Sequence, residues 1–109
     1  MNLFNELNEL CKKLSQSIKL MERYGIEKAE AERDYKICLN QWALKLKEDN
    51  LAVTLIQLIV KGVPEVAKKR FKRDVADVMY ETTKQSIYVQ TMQTKILETQ
   101  LKLEYNEKI

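Results

Sequence analysis

Histidine is absent from the 109 residues, and glycine (two), proline (one), cysteine (two) and tryptophan (one) are scarce. Each shortage removes a class of fold or function. Without His the chain lacks the commonest general base, the imidazole of Ser- and Cys-based triads, and the usual nitrogen ligand for transition metals. Gly25 and Gly62 stand too far apart to form a glycine-rich phosphate loop. Cys11 and Cys38 have no His to complete a zinc site, and both sit among apolar neighbours, which reads as reduced, buried small side chains. Several short strands would each need Gly or Pro punctuation, so sheet architectures are disfavoured. Long apolar runs are missing too. Leu51 to Val60 is interrupted by Thr54 and Gln57 and is about half of the roughly 20 residues that a membrane-crossing helix requires. The opening Met1-Asn2-Leu3-Phe4-Asn5-Glu6 carries neither the basic flank nor the apolar stretch of a secretory leader. The expectation is a cytoplasmic protein with no membrane contact, no catalytic residues, no metal site and no cofactor.

What is present is helical periodicity. Hydrophobic residues make up 45% of the chain and charged residues 32%, enough apolar content to fold, and the length suits a single domain over residues 1–109. Steps of three and four connect Leu3, Leu7, Leu10, Leu14, Ser17, Met21 and Tyr24. Past Gly25 the same beat continues in phase through Lys28, Ala31, Tyr35, Cys38 and Trp42. A true break resets the phase of such a line, so the spacing predicts one helix over 2–49, kinked at most at Gly25. Asn50 is the expected stop, and Thr54 the expected N-cap of a short helix over 55–61. Gly62 is expected to close that helix in the left-handed conformation, and Pro64 to open a long helix over 64–107. Along this last helix the three-four beat picks out Ala67, Phe71, Val75, Val78, Thr82, Gln85, Val89, Met92, Ile96, Thr99 and Leu103 as the inward line. At 1.5 Å per residue the long stretches would span about 70 Å and about 65 Å. Matched lengths favour an all-α antiparallel hairpin with a short connecting helix; the alternative breaks the first stretch at Gly25 and makes a compact bundle. A second apolar line, Ile87, Leu97, Leu101 and Tyr105, exceeds what one facing helix covers, and homo-oligomeric assembly into a helical bundle is the expected way to bury it.

Charge is unevenly placed. Met1 to Leu44 balances seven basic against seven acidic residues, whereas Lys45 to Arg73 carries eight basic and three acidic residues, and the remainder is net negative. Glu27, Glu30 and Asp34 share a helical face, but the interleaved Lys28, Arg33 and Lys36 make it a solvated ion-paired face rather than a cation site. Lys68, Lys69, Arg70, Lys72 and Arg73 occupy the first turns of the last helix, where the macrodipole disfavours cations. Two readings stay open there: a solvated face with Phe71 turned inward, or a surface for an anionic partner, whether nucleic acid, a nucleotide or an acidic protein patch. Aromatic interleaving for a single-strand binder is thin. A helix-turn-helix is opposed by the tight Gly62 to Pro64 junction and by a recognition helix that would run on for about 40 residues. The connector, apolar nearly all round, either folds back onto Trp42 and Phe71 or anchors a partner. Its Leu55, Ile56 and Ile59, with Leu97, Leu101 and Tyr105, are the candidate interface residues.

Ala31-Glu32-Arg33-Asp34-Tyr35, with Val53-Thr54-Leu55-Ile56, Lys61-Gly62 and Asp74-Val75-Ala76, resembles small helical proteins encoded by phages and prophages of Gram-positive bacteria. That resemblance implies an accessory factor that acts by binding. The expected function is a non-catalytic oligomeric binding protein that engages a host protein or signalling molecule, in the host cytoplasm, in counter-defence for example. The alternative is a nucleic-acid-binding accessory protein in phage replication or recombination that uses the 68–73 cluster.

Overall fold

In the computed structural model, which describes residues 2–108, the chain forms two long helices joined by a short one: α1 (Leu3–Glu48), α2 (Val53–Ile59) and α3 (Pro64–Lys108), with a single 3-10 turn, Val60–Gly62, between α2 and α3. No strand occurs among the described residues.

Local chemistry sets the ends. Asn2 caps α1, its Oδ1 accepting the Asn5 backbone N–H at 2.8 Å. At the other end Asn50 takes φ 62°, the left-handed conformation. The Asn50 N–H then reaches the Lys47 carbonyl (3.0 Å) and the Leu51 N–H the Leu46 carbonyl (3.4 Å), the crossed pair of a Schellman closure. Asn is the non-glycine residue best suited to that backbone, so α1 stops where the sequence says it should. The connector departs from expectation in two places. Its helix starts at Val53 behind an Ala52 that makes no side-chain cap, leaving Thr54 inside the first turn and not at the cap. Gly62 is not left-handed, because the 3-10 turn that it ends passes directly into extended Val63 (ψ 129°) and so into Pro64 at the first position of α3.

The chain divides into two compact units, a central one over Tyr24–Tyr80 and a terminal one built from the residues up to Arg23 and those from Glu81. Each unit pairs a piece of α1 with a piece of α3 in antiparallel order. In the central unit Gly25 lies beside Tyr80, Lys28 beside Asp77 and Tyr35 beside Arg73, so numbers rise on one helix as they fall on the other. In the terminal unit Phe4 shares a groove with Leu101 and Tyr105, and Leu10 shares one with Gln93 and Leu97.

The units differ in what they bury. Among the described residues Ala31, Tyr35, Ile56, Val60 and Val66 are the buried hydrophobic residues, Val66 completely so, and all five belong to the central unit. Burying each aliphatic side chain of that size is worth roughly 1.5–3 kcal/mol. In the connector Ile56 and Val60 are buried and Leu51 is half-buried. Phe71, expected beneath it, stands 71% exposed. In the terminal unit the buried residues are Thr83 and Thr94. The Thr94 hydroxyl donates to the carbonyl of Gln90 one turn back (2.9 Å), which satisfies it without a partner on α1.

On α1 every residue of the expected line, from Leu3 to Trp42, is buried or half-buried, and the helix runs unbroken through Gly25. On α3 the expectation is reversed. The residues turned inward are Val66, Arg73, Ala76 and Tyr80 in the central unit and Thr83, Ile87, Gln90, Thr94, Leu97 and Leu101 in the terminal unit. Of the line read as core, Ala67 is half-buried, but Thr82, Gln85 and Thr99 are exposed, and Phe71, Val75, Val78, Val89, Met92, Ile96 and Leu103 are 44–71% exposed. Both lines repeat every seven residues, so period alone does not choose between them. Val66, at the start of α3, has no exposed surface at all and lies on the inward line, whereas the more apolar line faces outward.

Gly25 serves a close approach. A Cβ built there would lie 3.4 Å from Cε2 of Tyr80, at the edge of ordinary contact, and the backbone φ is not positive. Gly25→Ala is accordingly expected to stabilise the chain by up to about 1 kcal/mol through helix propensity, raising the midpoint of thermal unfolding by several degrees when followed by circular dichroism. A fall in the midpoint would mean that the Tyr80 ring has no room to yield.

Candidate interaction surfaces

Among the described residues no three Cys, Asp or Glu side chains gather where a metal ion would bind, and no helix is long and apolar enough to cross a membrane. Glu27, Glu30 and Asp34 are dispersed among ion pairs: Asp34 accepts from Arg33 (3.2 Å) and Glu32 pairs with Lys36 (3.4 Å). Cys38 is half-buried, but Cys11 is exposed, contrary to the expectation of two buried thiols; it lies one position past Leu10, off the inward line of α1.

Consecutive residues on a helix are turned about 100° apart, so the five cations of the 68–73 run spread over an arc of about 200°. Lys68 and Lys72 are exposed, Lys69 and Arg70 half-buried, and Arg73 turns inward. The Arg73 guanidinium stacks 4.4 Å from the centroid of the Tyr35 ring, and its Nε and Nη2 both donate to Oδ1 of Asp74 (3.1 and 2.9 Å). That hydrogen-bonded carboxylate raises the Arg73 pKa further above its ordinary value, so the group is a permanent cation engaged within the fold. Lys28 is used similarly, its Nζ 2.8 Å from Asp77 and 4.9 Å from the Tyr80 ring centroid. Lys45 lies over Trp42 at 4.5 Å. Cation and aromatic contacts of this kind contribute roughly 0.5–2 kcal/mol each, and they let polar positions of the α1 and α3 lines serve as packing.

Of the candidate interface residues, Ile56 is core and unavailable to a partner. Leu97 and Leu101 are half-buried on the inward line of α3, lining the grooves shared with Leu10 and Phe4. Leu55 and Ile59 are exposed at 41% and 39%, and Tyr105 also faces solvent. Val53 and Leu58 are more exposed still, Leu58 at 79%, and were not singled out by the sequence because the connector offers no repeating line.

The outward line of α3 is apolar and exposed in each unit: Phe71, Val75 and Val78 carry it in the central unit and Val89, Met92, Ile96 and Leu103 in the terminal unit. Met92, Ile96 and Thr99 line a shallow apolar patch on it. Set beside protein-family models, curated proteins and solved structures, the chain matches none.

Proposed function

We propose that this is a non-catalytic binding protein that works as an assembly, with the outward face of α3 as its principal contact surface. The observation that carries the reading is the exposure of seven large apolar side chains at heptad spacing along one helix, on the side opposite its own partner α1. Isolated exposed hydrophobic residues are ordinary; an aligned set of this length marks an interface. The resemblance to small phage and prophage helical proteins agrees with an accessory factor that engages a host protein or signalling molecule. The nucleic-acid reading draws less support, since the 68–73 cations are divided among several directions and Arg73 is committed to Tyr35 and Asp74.

Light scattering on the purified chain tests the reading. The expected mass is a multiple of the 12.9 kDa chain, and Val89→Lys with Ile96→Lys is expected to return it to a single chain with unchanged helical circular dichroism. Both positions are exposed, so the lysines cost the single chain little. A wild-type protein that remains at 12.9 kDa at high micromolar concentration would overturn the proposal.

A further inference from the structure

Resting on that reading, we infer that the occupant of the outward α3 face is the same face of a second copy, antiparallel and centred on Tyr88. The ten positions of the line from Phe71 to Leu103 alternate steps of four and three. Laid antiparallel on itself with Phe71 opposite Leu103, the line also sets Val78 against Ile96 and Gln85 against Val89. Polar Gln85 then falls near the two-fold axis, where a polar core residue fixes register at some cost in affinity.

Charge selects this register. The residues flanking the line at 74, 81, 88, 95 and 102 are Asp, Glu, Tyr, Lys and Lys, and all five are exposed. In an antiparallel pair this flank faces its own copy, so Asp74 meets Lys102, Glu81 meets Lys95, and Tyr88 meets Tyr88, giving four ion pairs in the dimer. Sliding by one heptad in either direction leaves two, and a parallel pairing leaves only Lys102 against Glu107, once on each side. Glu81, Lys95 and Lys102 make no ion pair within the chain among the described residues. Asp74 receives both Arg73 hydrogen bonds on Oδ1, which leaves Oδ2 for a lysine. The antiparallel arrangement also brings the last turns of one α3, with Glu104 and Glu107, alongside the first turns of the other, with Lys68 and Lys72. That gives the basic start of α3 a complementary neighbour. The line covers about 33 helical residues, a contour of about 50 Å and a width of about 10 Å, or about 1,000 Å² over two copies. That reaches the area at which specific interfaces begin.

Exposed ion pairs add little affinity but discriminate strongly against like charges, so the test is a charge exchange. One full-length variant carries Asp74→Lys and Glu81→Lys, the other Lys95→Glu and Lys102→Glu. Each alone is expected to self-associate at least about tenfold more weakly than wild type, and an equimolar mixture to recover wild-type affinity or better as a heterodimer. Sedimentation equilibrium reads both, with circular dichroism to show that each variant remains helical. A second measurement fixes direction. In a Cys11→Ser, Cys38→Ser background, Phe71→Cys is expected to form a disulfide with Leu103→Cys when the two chains are mixed and oxidised, and not with itself. Self-crosslinking of Phe71→Cys, or charge variants that associate like wild type, would overturn the register while the light-scattering result leaves the assembly itself standing. A monomeric wild type would remove both.

Discussion

A chain carrying Val66→Asp is expected to lose the packing of the central unit, at a cost of more than about 3 kcal/mol. Val66 has no exposed surface, lies in the first turn of α3, and shares the buried core with Ile56 and Val60 of the connector. An aspartate there either stays ionised without a partner or takes up a proton, and both states discard the burial of the valine. Urea unfolding followed by circular dichroism at 222 nm measures the loss. Lys68→Glu, two positions on and exposed, is the matched control. It places the same charge in the same turn, where the macrodipole favours it, and is expected to be neutral or to stabilise by about 0.3–1 kcal/mol. Equal damage from both variants would show that the burial of Val66 is not what holds the central unit.

The second large effect is expected at Tyr35. Its ring is 5% exposed and carries the Arg73 guanidinium on one side, so Tyr35→Ala removes core volume and strands a half-buried cation together. Aromatic-to-alanine changes in cores cost about 3–5 kcal/mol, and the same range is expected here in denaturant unfolding. Tyr35→Phe keeps the ring and the stacking. The Tyr35 hydroxyl makes no hydrogen bond among the described residues, so the Phe variant is expected within about 1 kcal/mol of wild type. A large loss in Tyr35→Phe would mean that the hydroxyl, and not the ring, carries the contact.

The contrast between α1 and α3 shows what was legible in the sequence. On α1 a single apolar line existed, it passed Gly25 without a change of phase, and the chain buries that line. Asn50 and Pro64 acted through their backbone preferences, so the two boundaries that they set fell where expected. Gly62 and Thr54 have equally strong preferences, but the 3-10 turn after Ile59 and the start of α2 at Val53 gave them other places. On α3 two lines of equal period competed, and the more apolar one was read as core. The inward line carries Val66, which is fully buried, and cation and aromatic contacts make Arg73 and Lys28 acceptable at inward positions. Hydropathy counts such residues as outward. Within the basic cluster, Arg73 is drawn into contact with Tyr35 and Asp74, a use that its position in a run of cations does not reveal.

The uneven distribution of buried hydrophobic residues gives the two units different opening free energies. Among the described residues the five buried apolar side chains all belong to the central unit, whereas the terminal unit buries Thr83 and Thr94 and keeps its leucines half-buried or exposed. Local unfolding follows the density of apolar contact. Backbone amides near Leu10 and Leu97 therefore become accessible to solvent and to proteases in excursions that leave Tyr35 and Val66 undisturbed. A chain built in this way separates into a persistent middle and ends that come and go.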